Sequence, residues 1–447
     1  MIAVEVVDTP ELGDRSYVAH DGETAVIVDP QRDIDRMETL LATRGLRCAF
    51  VAETHLHNDY VSGGLELARR TGATYLLSAA EGLPFEHRAV ADGDELTSGR
   101  VHVRVVATPG HTFDHVAYVV DDGEAPAVFT GGALLYGSVG RTDLLGDAHT
   151  EELARLQFRS ARRLAELLAD DVPVYPTHGF GSFCSSGNVA VTAASTMGAE
   201  RVRNDALAAV DEDVFVARLI AGLTAYPAYY AHMAPLNRRG PAPVDLSPAR
   251  RVDPGELRRR IGAGEWIVDL RAGAAFAHAH LAGTISCALD ISFSTYLGWL
   301  IPWGAPLTLI GETQGDVAAA QRQLVRIGID RPAGAAVGTI RALAAGDELR
   351  SYPVAGFAEL QATPDLALLD VRRGEERRAG CLPGSFHVPI DELLARLDEL
   401  PDGRLAVHCA SGYRAAIAAS LLDRIGRDVV LVDDDWTNAT VPVSPAR

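Results

Sequence analysis

Residues 53–64 read ETHLHNDYVSGG. His55 and His57 sit one residue apart, Asp59 follows two positions later, and Tyr60 comes next. Such a cluster is a metal site, the remains of one, or a polar loop that happens to hold two histidines. The apolar run CAFVAE directly upstream reads as a β-strand, so the cluster starts at a strand end. Three further strand ends carry polar or glycine residues in the same position. His111 follows VHVRVVAT, Gly131 and Gly132 follow AVFT, and His178 follows VPVYPT. Isolated histidines are usually surface or core residues. Four at equivalent strand ends are better explained as ligands converging on one metal along one edge of a β-sandwich.

Working outward, the chain of 447 residues is too long for one core, and two to four domains are expected. With 47% hydrophobic residues it reads as globular throughout. No run reaches the length of a membrane span, and the first residues, MIAVEVVDTPELGD, are acidic rather than a basic leader, so a soluble cytoplasmic protein is expected. A net charge of −19 argues against nucleic acid or an anionic membrane as partner. All 41 basic residues are arginine. The absence of lysine excludes Schiff-base chemistry and phosphate-loop or kinase-type lysines. The five cysteines, Cys48, Cys184, Cys287, Cys381 and Cys409, are scattered and form no CxxC pair. That pattern is neither a disulfide framework nor a zinc ribbon, and leaves room for one nucleophile among packing residues.

Short β-runs dominate residues 1–120, with helical patterns at 33–44 and 64–71, and later at 150–169 and 211–223. Residues 238–250, RRGPAPVDLSPAR, lack periodicity and read as a linker. Beyond it the chain repeats itself. Asp269-Leu270-Arg271 returns as Asp370-Val371-Arg372, and Leu281-Ala282-Gly283-Thr284 as Leu382-Pro383-Gly384-Ser385, while Arg326-Ile327-Gly328 returns as Arg424-Ile425-Gly426. Two copies of one α/β unit therefore fill the C-terminal half. Segments 1–245, 246–350 and 351–447 are the expected domains.

In the second copy the strand LAVH runs into Cys409-Ala410-Ser411-Gly412-Tyr413-Arg414 and then into a helix. A cysteine in a tight loop opening a helix faces several backbone N–H groups and the positive end of the helix dipole, and Arg414 adds a charge. This loop, with the upstream DVR and LPGS, resembles the active domain of the rhodanese (sulfurtransferase) family over about residues 351–447. The resemblance implies that Cys409 accepts a sulfane sulfur as a persulfide, with Arg414 assisting. It also implies that the backbone from Ala410 through Ser411, Gly412 and Tyr413 holds the terminal sulfur or an oxyanion. In the first copy the same loop is Gly311-Glu312-Thr313-Gln314-Gly315-Asp316, with no nucleophile and no cation. That copy is expected to be silent. Its segment 294–304, STYLGWLIPWG, reads as an apolar contact between domains.

The N-terminal motifs THLHNDY, TPGHT, FTGG with GRTDLLG, and PTHG resemble the metallo-β-lactamase fold, in its glyoxalase II and persulfide dioxygenase branch, over about residues 1–240. The implied fold class is α/β: an αββα sandwich followed by two rhodanese-like domains, each on a parallel sheet. The implied cofactor is one Fe(II), with Zn(II) as the alternative, held by His55 and His111 with His57 beside them. Two departures stand out. Tyr60 replaces a histidine that serves a second metal, and Gly132 replaces the carboxylate ligand of the family's FTGD. Restoring an aspartate at position 132 is expected to raise metal occupancy.

The leading expectation is sulfane-sulfur metabolism, in which a thiol persulfide is oxidised to sulfite and thiol and sulfur passes through Cys409. The alternatives are a metal-poor front domain that docks thiol carriers for the rhodanese, and a glyoxalase II-type thioester hydrolase. Expected partners are small thiols, persulfides, thiosulfate or sulfite, with a homodimer left open. Cys184 is read as structural, and the cluster Tyr226, Tyr229, Tyr230 and His232 as packing with a residue or two at the rim of the cleft.

Overall fold

The computed structural model describes residues 2–79, 82–186, 193–360 and 366–439. The end of the third expected domain, 440–447, lies outside them. By contact density the chain divides into two units, residues 1–244 with 325–328, and residues 245–324 with 329–447.

The N-terminal unit holds two six-stranded sheets. The first runs, in spatial order, through Ala3–Thr9, Asp14–His20, Thr24–Val28, Arg47–Ala52, Thr74–Ser78 and Arg88–Val90, antiparallel at the start and parallel from Thr24–Val28 onward. The second runs through Ser195–Thr196, Pro173–Pro176, Ala127–Gly131, Val116–Asp121, Val101–Ala107 and Glu95–Ser98. Val101, Val103 and Val105 alternate with more exposed neighbours and face Tyr17, Val26, Val28, Phe50 and Leu76 of the first sheet in one core. The outer face of the first sheet takes helices Asp35–Arg44 and Gly64–Thr71, through Met37, Leu41, Leu65 and Leu67 against Val18, Ile27 and Val51. Helix Asp147–Leu167 covers the second sheet with Ala154, Phe158, Ala161 and Leu164 against Val106, Val119 and Val128. The result is the expected αββα sandwich.

Local chemistry sets the boundaries. Gly45 takes φ 66° and returns its N–H toward Ala42 and Leu41, ending the first helix. Asp211 accepts from the amide of Val214 to start helix Glu212–Gly222. The expected linker begins two residues late, because helix Tyr230–Arg239 runs on to Gly240.

The C-terminal unit holds two parallel sheets. One orders as Ile285–Ser286, Trp266–Asp269, Leu307–Gly311, Gly334–Val337; the other as Phe386–His387, Ala367–Asp370, Leu405–His408, Val429–Val432, Val354–Ala355. The two coincide down to single hydrogen bonds. Arg271 Nη2 donates to Asp269 at 2.6 Å and to the Ala279 carbonyl at 2.9 Å; Arg372 Nη2 donates to Asp370 at 2.8 Å and to the Gly380 carbonyl at 2.7 Å. Thr284 and Ser385 each donate 2.7 Å hydrogen bonds to the carbonyls of Leu281 and Leu382. Helix Phe293–Leu300, within the apolar segment, buries Phe293, Leu297 and Trp299 and sets the Tyr296 ring 5.9 Å from that of Tyr413 in the other repeat. Among the described residues no helix is long and apolar enough to cross a membrane.

Candidate functional sites

In the N-terminal unit the loops after four strand ends meet in one buried cluster. The His55 ring lies 4.1 Å from His57, 4.8 Å from His111 and 5.3 Å from His178, centroid to centroid. All four side chains are excluded from solvent. The structure adds residues that carried no sequence signal. His115, four residues past His111, stacks 4.9 Å from His55, and its Nε2 accepts the Gly132 amide at 3.0 Å. Asp14 lies 2.9 Å from His178 Nδ1, and Asp59 lies 3.1 Å from the same nitrogen. Asp29, at φ 51°, accepts from the Thr54 amide and hydroxyl, both at 2.7 Å, and from Thr177. Nothing local marked Asp14 or Asp29, which are single acids on strands whose ends meet the histidines only in the fold.

Each ring is oriented by its second nitrogen. His57 Nε2 sits 3.0 Å from the Tyr60 hydroxyl, 3.2 Å from Glu53 and 3.3 Å from Asp29. Burial opposes its protonation, but the two carboxylates outweigh burial and raise its pKa to about 9. His111 Nδ1 lies 2.7 Å from the Arg141 carbonyl, and burial lowers its pKa to about 3. Arg141 is itself buried, with a bidentate pair to Asp143 at 2.7 Å and hydrogen bonds to the carbonyls of Phe183 and Thr224 at 2.9 and 2.7 Å. Burial, then the nearby Asp59, raise Asp14 to about 7, while Asp59 is held low because His178 outweighs burial.

The donor atoms fit a cation. His57 Nδ1, His111 Nε2, one oxygen of Asp59 and one of Asp14 are buried without a partner among the described residues, while the other Asp59 oxygen meets only the His178 ring. Buried lone pairs left in this way are rare in a settled core and suit a metal ion. The donors fall into groups within 4.8 Å of one another, among them His55, His57 and His178, and His111, His178 and Cys184. Cys184, read from sequence as structural, is therefore part of the cluster.

The expectation for Gly132 needs correction. A Cβ at this position would lie 2.4 Å from His111 Cδ2 and 2.6 Å from Cγ. The His111 ring has closed over the space a carboxylate would need, so a restored aspartate displaces a ligand rather than completing the site. The tyrosines follow the packing reading. Tyr229 and Tyr230 are buried, and the Tyr226 ring stacks on the Arg141 guanidinium at 4.5 Å.

In the C-terminal unit strand Leu405–His408 delivers Cys409 into the loop that opens helix Tyr413–Arg424. Gly412 caps the helix at φ 85°, and a Cβ there would strike Asp433 at 2.2 Å, so the turn requires glycine. Among the described residues no hydrogen bond is donated by the amides of Ala410, Ser411 or Gly412. With the helix N-terminus they form an anion cradle beside Cys409, a residue only 1% exposed. Tyr413 anchors the loop on the first repeat, its hydroxyl donating to the Ala288 carbonyl at 2.9 Å and lying 3.6 Å from Cys287 Sγ. Arg414 does not stand free. It forms a bidentate pair with Glu376, at 2.5 and 2.7 Å. Burial opposes the ionised acid, but Arg414 outweighs it and lowers Glu376 to about 2. In the first repeat, helix Gln314–Arg326 opens differently. The Thr313 amide donates to Asp316 at 2.8 Å, and the Asp316 amide to the Thr313 hydroxyl at 3.2 Å, so a reciprocal pair spans that helix start.

Comparison with known proteins accords with both geometries. Residues 11–178 match the metallo-β-lactamase superfamily, and residues 354–440 match the rhodanese-like domain. The hydroxyacylglutathione hydrolase of Prochlorococcus marinus (strain MIT 9303) is 35% identical over 166 residues, 36% of this chain and 60% of that protein. The human mitochondrial persulfide dioxygenase ETHE1 is 31% identical over 177 residues, 39% of this chain and 65% of that protein. The matches thus span less than two thirds of these curated relatives. A metallo-β-lactamase from Staphylococcus aureus subsp. aureus COL superposes with a TM-score of 0.67 at 26% identity, over 76% of this chain and 99% of that one. The N-terminal unit carries a metallo-β-lactamase-superfamily domain with a histidine-rich candidate metal site. The same chain carries a rhodanese-like domain at its C-terminal end, so two families are joined in one polypeptide.

Proposed function

We propose that the chain is a sulfurtransferase working through Cys409, coupled to a front domain that oxidises a small thiol persulfide. The observation that carries the first part is the open loop 409–414, with a nucleophile, uncommitted amides and a helix N-terminus around one point. The Cys409 thiolate attacks the outer sulfur of thiosulfate, the S–S bond breaks, and sulfite leaves with the bonding pair. The terminal sulfur, now a Cys409 persulfide, lies within the amide cradle, which favours its negative charge. An acceptor thiolate or cyanide then attacks that sulfur and returns Cys409 as thiolate. Arg414 and Glu376 fix the first turn of the helix and hold the loop open. Treatment with thiosulfate is expected to add one sulfur atom to the Cys409 peptide by mass spectrometry, with cyanide removing it. A mass gain that persists in Cys409→Ser rejects the assignment.

The front-domain reading is supported by the unpartnered buried donors and by the likeness to a persulfide dioxygenase. The overall change is RSSH + O₂ + H₂O giving RSH, sulfite and two protons. His111, with His55 and His57 on one side or with His178 on the other, would hold the metal, and Fe(II) bound there would supply the oxygen chemistry. The chain's own residues exclude water from the cluster and fix the rings, His111 through the Arg141 carbonyl and His57 through Glu53 and Asp29. A metal-free docking module is disfavoured because it would leave these lone pairs buried with no compensation. Thioester hydrolysis is disfavoured because Tyr60 spends its hydroxyl on His57. Anaerobic purification with metal analysis and O₂ uptake on glutathione persulfide tests this reading. Bound metal with persulfide-dependent uptake supports it, and metal without uptake rejects the dioxygenase.

A further inference from the structure

We infer that Cys184 is a metal ligand of the front domain, joining His111 and His178 with the Asp59 carboxylate as a fourth donor. This deepens the metal reading of that domain and rests on it.

Two sets of donors compete for a cation. The set His55, His57 and His111 offers three neutral imidazoles and no anion in direct contact. Asp29 and Glu53 lie behind His57 on the far ring nitrogen, at 3.3 and 3.2 Å, and Asp59 stands 4.0 Å from its Nδ1. A divalent ion held there keeps its full charge inside a water-free site, which is costly. The set His111, His178 and Cys184 has its donor atoms within 4.8 Å of one another. Asp59 borders it, 3.1 Å from His178 Nδ1. Two imidazoles, one thiolate and one carboxylate neutralise a divalent ion and provide four donors. Coordination converts the thiol to thiolate, and its proton leaves to solvent.

The surrounding backbone is built for this set. The Arg141 carbonyl receives the His111 Nδ1 proton at 2.7 Å, leaving Nε2 as the lone pair, and Nε2 has no other partner among the described residues. The amide of the same residue donates to the Cys184 carbonyl at 2.8 Å. The Arg141 side chain reaches the Phe183 carbonyl at 2.9 Å. One buried residue thus fixes both His111 and the turn carrying Cys184, as supporting groups do around metal ligands. Gly132 fits the same account. With the His111 ring across the space a carboxylate would use, the anions come from Asp59 and Cys184 instead.

The test uses the full chain in a Cys409→Ser background, stripped with chelator and reloaded with Co(II). We expect one Co(II) per chain and a near-ultraviolet thiolate-to-cobalt charge-transfer band. The band should vanish in Cys184→Ser and Cys184→Ala, with affinity falling at least about a hundredfold, and persist in His57→Ala. X-ray absorption of the zinc form should show one sulfur at about 2.3 Å. Thermal melting identifies any variant that fails to fold, and the absorption measurement on the parent chain stands without variants. Stoichiometric Co(II) with no thiolate band overturns the inference and leaves the metal reading intact. No bound metal in the parent chain overturns both.

Discussion

The two repeats of the C-terminal unit share a sheet order, an Arg–Asp pair and a hydroxyl-capped turn, yet they differ at one helix end. In the first repeat Thr313 and Asp316 exchange hydrogen bonds across the start of helix Gln314–Arg326, which commits the Thr313 amide, the counterpart of Ser411. In the second, Ala410, Ser411 and Gly412 keep their amides uncommitted, and Cys409 takes the place of Gly311. A helix N-terminus must satisfy its donors with something. In the first repeat the central amide is committed to the Asp316 carboxylate, and in the second all three are left for an anion. The arginine of the loop follows the same division. Arg414 and its partner Glu376 correspond to Asp316 and Ala275, so neither half of that pair exists in the first repeat.

The largest expected effect tests the open end. Cys409→Ser should lower thiosulfate:cyanide transfer by at least about a thousandfold while leaving the melting temperature nearly unchanged. The converse change, Gly311→Cys, should create no transfer activity, because the Thr313 amide stays bonded to the Asp316 carboxylate, whose charge also repels an anion. Measurable turnover from Gly311→Cys in a Cys409→Ser background would show that the cysteine alone makes the site. The added Cβ meets Val317 at 3.0 Å and the Thr313 carbonyl at 3.1 Å, so a small loss of stability, about 1 kcal/mol, should accompany it.

The shared scaffold makes its own prediction. Arg271→Ala leaves Asp269, fully buried, without the guanidinium that pairs with it, and should cost about 3–5 kcal/mol in urea unfolding. Arg372→Ala should cost less, because Arg377 remains 3.3 Å from Asp370. The reverse order would mean that the pair in the silent repeat is dispensable.

How much of this was legible in the sequence follows from the range of each interaction. The repeat, the Cys409 loop and the strand-end histidines are local patterns, and they locate the sites. Gly132 could be seen to lack a carboxylate, but not that His111 would lie 2.4 Å from any Cβ placed there. That closure depends on Arg141, thirty positions away, drawing in His111 Nδ1. Asp14 was unreadable for the same reason, since it meets His178 only once two separate sheets have packed, and Cys184, close to His178 in the chain, formed no ligand spacing with it. Gly132→Asp is therefore expected to lower stability by about 1–3 kcal/mol and to reduce, not raise, the metal retained after dialysis. A gain in metal content would show that the ring swings aside.

The smallest effect probes the Arg414–Glu376 pair, which the silent repeat lacks. Its folded-state carboxyl is lowered from 4.5 to about 2, so the group binds fewer protons folded than unfolded. Its stabilisation is complete above the unfolded value, declines as pH falls below about 4.5, and is lost once pH passes through about 2. Glu376 is 23% exposed and its partner 9%, so solvent screens part of the attraction, and Glu376→Gln should cost only about 1–2 kcal/mol at pH 7. The variant should also lose that part of the acid-limb slope, whereas Arg271→Ala should keep it. The functional sign is opposite. Removing the carboxylate leaves the Arg414 charge uncompensated beside the cradle, so the KM for thiosulfate should fall by about two- to fivefold at low salt, and less at high salt. An unchanged KM at both ionic strengths would mean that the guanidinium serves only to brace the helix, and that the amides alone distinguish the active repeat from its silent copy.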